Sequence, residues 1–418
     1  MSTAHTDSTS AARLDPSFGE AGRVVIHIPD TSTSVSRISG LVTDLDSRVL
    51  FTSSSPPRFL LGRLLEDGTV DRQFGNNGVI HDVFAEGDGL SLSTGVSILN
   101  NGTILLTGVY DPPGPQRLPA LALFNASGHY VTEFGQYGKS VIPVPNAAEG
   151  SSGLSGADPF ATNGSSQTPV ILADGKMLLV FQGWLIRLLE NGRPDDSFDN
   201  GRHYRPARHP KYSSTTTRIV QASANTVVLG GTAEVDGEIF AMFARYFIDG
   251  ELDKSFGRDG FFVLDDLPLE TNVVALAMKD EDKVVGIGQK LATPAKGLIV
   301  CLNAKGHVDP GFNHGNPVLV PTDANRQFNW HAGTIDHAGR IVATGGSLEG
   351  PDSTPYIATG RFMPDGSPDL TFSTNEGWVS AEGQLAQALA IDRKDRIVIS
   401  GLTSPPENVT PAILRYLA

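Results

Sequence analysis

The chain of 418 residues carries 46 acidic against 32 basic side chains, a formal net charge of -14, which excludes a general binder of nucleic acid or anionic membrane because such a surface needs a net basic face. With 46 Gly and 27 Pro among alternating apolar stretches, the composition points to many turns and an all-β protein. The single cysteine, Cys301, excludes an intrachain disulfide, and no apolar run reaches the length of a membrane helix.

Residues 1–10, MSTAHTDSTS, lack the basic start and apolar segment of a secretory signal and read as a disordered tail. The expected location is the cytoplasm, or outside it by a route without a classical signal peptide. The next stretch, LDPSFGEAGRVV, sets Phe18 in a turn, and the phrase returns around Phe74, Phe134, Phe198, Phe256, Phe312 and Phe372 at separations of 56 to 64 residues. Between phrases an apolar strand A turns at Asn, Asp or Gly into a strand B, as in SILNNGTILLTG and TIDHAGRIVATGG. A third strand C, such as MFARYFIDG, leads into the phrase, and a fourth strand D, such as GFFVLDD, follows it. Seven such units predict one domain over 11–418, a seven-bladed β-propeller of four-stranded antiparallel blades.

Ring closure follows from register. The last repeat stops at AILRYLA, within its C strand, and the N-terminus begins with the missing phrase. Joining Ala418 to Ala11 puts Phe18 at the expected place after Arg415, so a strand near residues 22–28 completes the last blade and removes the free edge.

The phrase Leu-Asp-x-Ser-Phe-Gly-x-x-Gly at this period resembles the bacterial delta-60 repeat family over nearly the whole chain. The resemblance implies the propeller fold and brings no general activity that transfers to particular residues. Copies depart from it: Val131 stands where others have Asp, and the glycine after Phe shifts in FDNG, FNHG and FSTNEG.

Each repeated Phe is expected to fill the wedge between blades, and Gly22, Gly78, Gly138, Gly201, Gly260, Gly315 and Gly377 to supply positive φ before strand D. Arg63, Arg187, Arg245 and Arg361 each precede the phrase's Asp71, Asp195, Asp253 and Asp369 by eight residues, and Arg415 faces Asp15 across the closure. These predict structural Arg–Asp pairs. The second copy loses both partners, as Leu123 and Val131, while the fifth sets Cys301 before Asp309.

The A–B turns and C–D phrases share one constant face; the D–A and B–C loops share the other and vary, which makes the variable face the recognition surface. Its largest departure is the Gly/Ser-rich insertion 145–169, read as a lid or a mobile loop. RHYRPARHPK offers Arg202, Arg205, Arg208 and Lys211 with His203 and His209 as a local anion site. Asp323, Arg326, Trp330 and His331 sit where a D–A loop enters the channel, as do Asp265, Asp266, Glu86 and Asp88; Trp330 is either a stacking platform for a ligand or a core residue. YDPPGPQRLP and TSPPENVTP form rigid proline-rich rims suited to a partner.

The GKS at Gly138–Ser140 lacks the earlier glycine of a phosphate loop, since Glu133 stands there. No HExxH or GxSxG occurs, and DEDK at Asp280–Lys283 falls in an A–B turn, a poor place for a calcium site. The expected function is a monomeric, non-catalytic recognition propeller binding a protein, peptide or glycan on the variable face, with no nucleic acid, no membrane span and no cofactor. The alternative is a lyase or hydrolase at the channel mouth using His331, Asp323 and Arg326, with or without a divalent metal; assembly of partners on the proline-rich rim is a third reading.

Overall fold

The computed structural model describes residues 12–27, 37–114, 116–145, 168–265, 270–280, 282–291, 294–320, 327–347, 354–373, 376–403 and 409–417. The N-terminal tail therefore lies outside the described residues, as does 146–167 of the insertion. Among those described, the strands form seven four-stranded antiparallel sheets, each ordered A-B-C-D, and no α-helix occurs. Blade 1 consists of Ile38–Thr43, Val49–Ser55, Arg58–Leu64 and Val79–Asp82. Blades 2 to 6 start their inner strands at Leu90, Val170, Ser213, Thr271 and Phe328. Blade 7 joins Leu389–Ile391, Ile397–Leu402 and Pro411–Tyr416 to Arg23–Val25 from the other end of the chain. Arg23 pairs with Leu414 and Val25 with Ala412, so the ring closes as the register requires, with a strand shorter than 22–28.

Turn chemistry explains the hairpins. Asp44, Asn101, Asp336 and Asp392 each accept backbone amides two to four residues on, closing A–B turns. The seven phrase glycines all take positive φ, from 73° to 104°, a conformation that a Cβ disfavours.

All seven phrase phenylalanines are buried. Six of the rings, all but Phe372, lie beneath the turn glycine of the next blade: a Cβ on Gly192 would meet the Phe134 ring at 2.3 Å, one on Gly250 the Phe198 ring at 2.6 Å and one on Gly366 the Phe312 ring at 2.7 Å. The phrase Asp divides its two oxygens. In Asp15, Asp71, Asp195, Asp253 and Asp369, Oδ1 accepts the amide two residues on, and Oδ2 accepts Nε of Arg415, Arg63, Arg187, Arg245 and Arg361 at 2.7–2.8 Å. Each of those guanidinium groups also stands 4.4–4.9 Å over its own phrase phenylalanine, a favourable cation–π contact. From Arg63, Nη1 reaches across to the Ala126 carbonyl of blade 2 at 2.6 Å. Strand, turn and neighbouring blade are thus tied by one side chain.

The two irregular copies are handled differently. In blade 5, Lys283 at the start of strand B replaces the missing arginine and pairs with Asp309 at 2.9 Å. In blade 2, where Leu123 and Val131 remove both partners, Tyr130 and Lys139 bind Asp82 of blade 1 at 2.7 and 2.8 Å.

Candidate functional site

Among the described residues, five inner strands carry a β-bulge, between Ile38 and Gly40, Ser93 and Gly95, Thr216 and Arg218, Val273 and Ala275, and Trp330 and Ala332. A bulge leaves one residue out of the ladder and re-aims it, here Ser39, Thr94, Thr217, Val274 and His331. Strand B accommodates the bulge through small residues: a Cβ at Gly231, Gly288 or Gly345 would lie 1.9, 1.9 or 1.7 Å from the carbonyl oxygen of Thr215, Asn272 or Asn329. Immediately after the bulge stand Gly40, Gly95, Ala275 and Ala332, but blade 4 has Arg218.

Inner strands of blades 2 to 7 surround a channel cavity of about 330 Å³, lined among others by Arg218, Thr94, Thr107, Thr217, Gln221 and Thr334. Arg218 is 4% exposed, and burial pushes it down to about 10, which leaves it charged at neutral pH. Its Nε donates to the Val274 carbonyl at 2.5 Å and its Nη1 to the Thr217 carbonyl at 2.8 Å. Both acceptors are bulge residues, so the irregular backbone of two neighbouring blades fixes the guanidinium plane.

His331 is the bulge residue of blade 6, with Nδ1 3.2 Å from the Ala386 carbonyl; because a carbonyl only accepts, Nδ1 carries the proton. Burial, against the help of that hydrogen bond, lowers its pKa to about 4. Trp330, its neighbour, is fully buried, packed on Phe328 at 4.7 Å and edge-on to Phe362 at 6.4 Å. Gly297 and Gly360 leave it that space. The ring is therefore a core element, and the stacking-platform expectation gives way to core packing. Asp323 and Arg326 lie outside the described residues.

The basic segment runs along the outer edge of blade 3 and does not converge. Arg202 pairs with Asp199 at 2.5 Å in the C–D turn, and Arg205 in strand D pairs with Glu251 of blade 4 at 2.8 Å. Arg208 stands 6.0 Å over Trp184 on the variable face. His209 stacks on Tyr212 at 4.5 Å, and its Nδ1 accepts the amides of Lys211 and Tyr212 at 3.2 and 3.1 Å. Burial and the nearby Lys211 lower its pKa, so it is a neutral turn organiser. His203 sits 2.7 Å from the Pro143 carbonyl through Nε2. The structure thus distributes these cations across both faces and gives two of them acidic partners, a spread that strand D imposes.

Glu86, Asp88 and Asp265 are exposed, and Asp266 lies outside the described residues. In the GKS copy, Lys139 is held by Asp82 at 2.8 Å and the Ser140 hydroxyl donates to the Gly192 carbonyl at 2.6 Å, so both serve blade contacts. Among the described residues, no group of three or more His, Cys, Asp or Glu is placed to hold a metal ion, and no helix is long and apolar enough to cross a membrane. Arg218 and Thr107 belong to no motif in the sequence; the available signal is an arginine at a position that is Gly or Ala in the other four bulged inner strands.

No family model matches the chain, and no curated protein matches it. Among solved structures, the chain is similar to a protein of unknown function from Dyadobacter fermentans, at 9% identity and a TM-score of 0.51 over 97% of this chain and 99% of that one. It is also similar to virginiamycin B lyase from Staphylococcus aureus, at 9% identity and a TM-score of 0.47 over 95% and 99%, and to the Dos1 propeller, at 9% identity and a TM-score of 0.49 over 98% and 96%. At this identity the likeness is one of fold.

Proposed function

We propose that the chain is a non-catalytic recognition propeller that binds a protein, peptide or glycan on its D–A/B–C face, and that it belongs with the delta-60 repeat proteins its phrase resembles. The observation that carries the reading is the division between the two faces. On the constant face, the repeated Asp, Arg and Phe are committed to blade-to-blade contacts. At the opposite end the loops differ in length and chemistry from copy to copy, the usual mark of a binding surface on a rigid scaffold. The enzymatic alternative places acid–base work on His331, but a histidine with a pKa near 4 is a weak base at neutral pH, which favours recognition.

The test is an array of defined glycans and peptides probed with the full chain and with two variable-face variants, Arg208→Ala and a shortened 145–169 segment. The expected result is a ligand whose binding weakens in either variant and persists in Tyr137→Asn, a change on the constant face. Turnover of the bound ligand, or loss of binding through Tyr137→Asn alone, would overturn the reading.

A further inference from the structure

We propose that the channel cavity beside blade 4 is a binding site for a small ligand bearing an oxyanion, a carboxylate or a phosphate, held by Arg218 and the hydroxyls of Thr94, Thr107, Thr217 and Thr334. The site lies on the inner strands and stands whether or not the loops recognise a macromolecule.

The first observation is the exchange at one ring position. Gly40, Gly95, Ala275 and Ala332 keep this position small, Gly40 with the Gly95 Cα of the next blade 2.8 Å from where its Cβ would stand, and the same register in blade 4 carries a buried guanidinium. Taking that charge out of water is costly, so a hydrophobic or small residue would serve a purely structural wall better. The bulge carbonyls of Thr217 and Val274 hold the group in place, and a planar fork of N–H donors held rigid suits an oxyanion.

The second observation is Thr107, 5% exposed, whose Oγ1 has no hydrogen-bond partner among the described residues. At the same position of strand B, the Thr52 hydroxyl donates to the Leu60 carbonyl at 2.7 Å and the Thr344 hydroxyl to the Ala358 carbonyl at 3.0 Å. Only the copy that lines the cavity lacks this bond among these three. A buried hydroxyl left unmade is unfavourable, and a ligand oxygen in the cavity would satisfy it. No Asp or Glu occurs among the described residues lining the cavity, although the chain as a whole carries -14. A volume of about 330 Å³ suits a small molecule.

Isothermal titration of the full chain with inorganic phosphate, and separately with malonate at matched ionic strength, tests the site. The expected result is saturable one-to-one binding of at least one anion, and the preferred one tells phosphate from carboxylate recognition. Arg218→Met should abolish binding, and Thr107→Val should weaken it by about fivefold to tenfold, the loss of one hydrogen bond. If Arg218→Met does not fold, Thr107→Val decides alone. Binding of neither anion by the wild type, or unchanged affinity in Thr107→Val, overturns the proposal.

Discussion

The outer wedges and the channel wall use the same repeat in opposite ways. In the wedges every copy repeats or compensates: five blades keep Arg–Asp pairs, and the fifth substitutes Lys283 when Cys301 displaces the arginine. Among the five bulged inner strands, a position that is Gly or Ala in four takes an arginine in blade 4, with nothing in the repeat to call for it. Uniform side chains close the ring, whereas a costly exception marks a place where the molecule does something besides closing.

The largest effect is expected at the seam between the chain ends. Phe18→Ala should cost about 3–5 kcal/mol and, unlike Phe256→Ala, should speed amide exchange in Pro411–Tyr416 and Arg23–Val25; equal exchange there in both variants would show that the seam is no weaker than a continuous blade. Next comes the pair itself. Arg63→Leu strands Asp71 in a wedge and should cost about 3 kcal/mol in urea denaturation, whereas Arg63→Leu with Asp71→Val, which copies the natural Leu123 and Val131, should recover more than half of it.

Acid should act in two steps. His331 is held neutral down to about pH 4 in the fold, against an ordinary value of 6.5, so the unfolded chain binds a proton that the fold refuses and stability falls as pH drops from 6.5 to 4. Below about pH 4 the wedge carboxylates lose their contribution: burial opposes the charged form of Asp15, Asp195, Asp253 and Asp369, but hydrogen bonds and the facing arginine outweigh it and hold each below the ordinary carboxylate range. His331→Gln should flatten the first step of a urea-midpoint profile and leave the second. The smallest effect is at Tyr137, which takes φ of 52° while 84% exposed. The matching residue is asparagine in two other copies, Asn77 and Asn200, also at positive φ, so Tyr137→Asn should raise stability by about 0.5–1 kcal/mol.

Legibility followed the same division. The phrase spacing, the closure at Arg415 and Asp15 and the glycine φ signs could be read from the chain because each rests on a short spacing that recurs from copy to copy. Lys283 could not, since it comes from strand B of the same blade, 26 residues before Asp309, and only folding sets them side by side. Trp330 looked like a residue of the channel mouth because the bulge beside it breaks the alternation that tells inward from outward. The same one-residue shift concealed Arg218. The cluster RHYRPARHPK looked convergent because sequence proximity does not show that strand D carries its two ends to opposite faces.

Hydrogen–deuterium exchange of the full chain with and without inorganic phosphate tests most directly whether constant wedges and an exceptional channel have separate roles. Added protection is expected in the inner strands Ser213–Gln221 and Thr271–Lys279, absent in Arg218→Met, with the seven phrases unchanged. Protection confined to the phrases, with the inner strands unaffected, would contradict it.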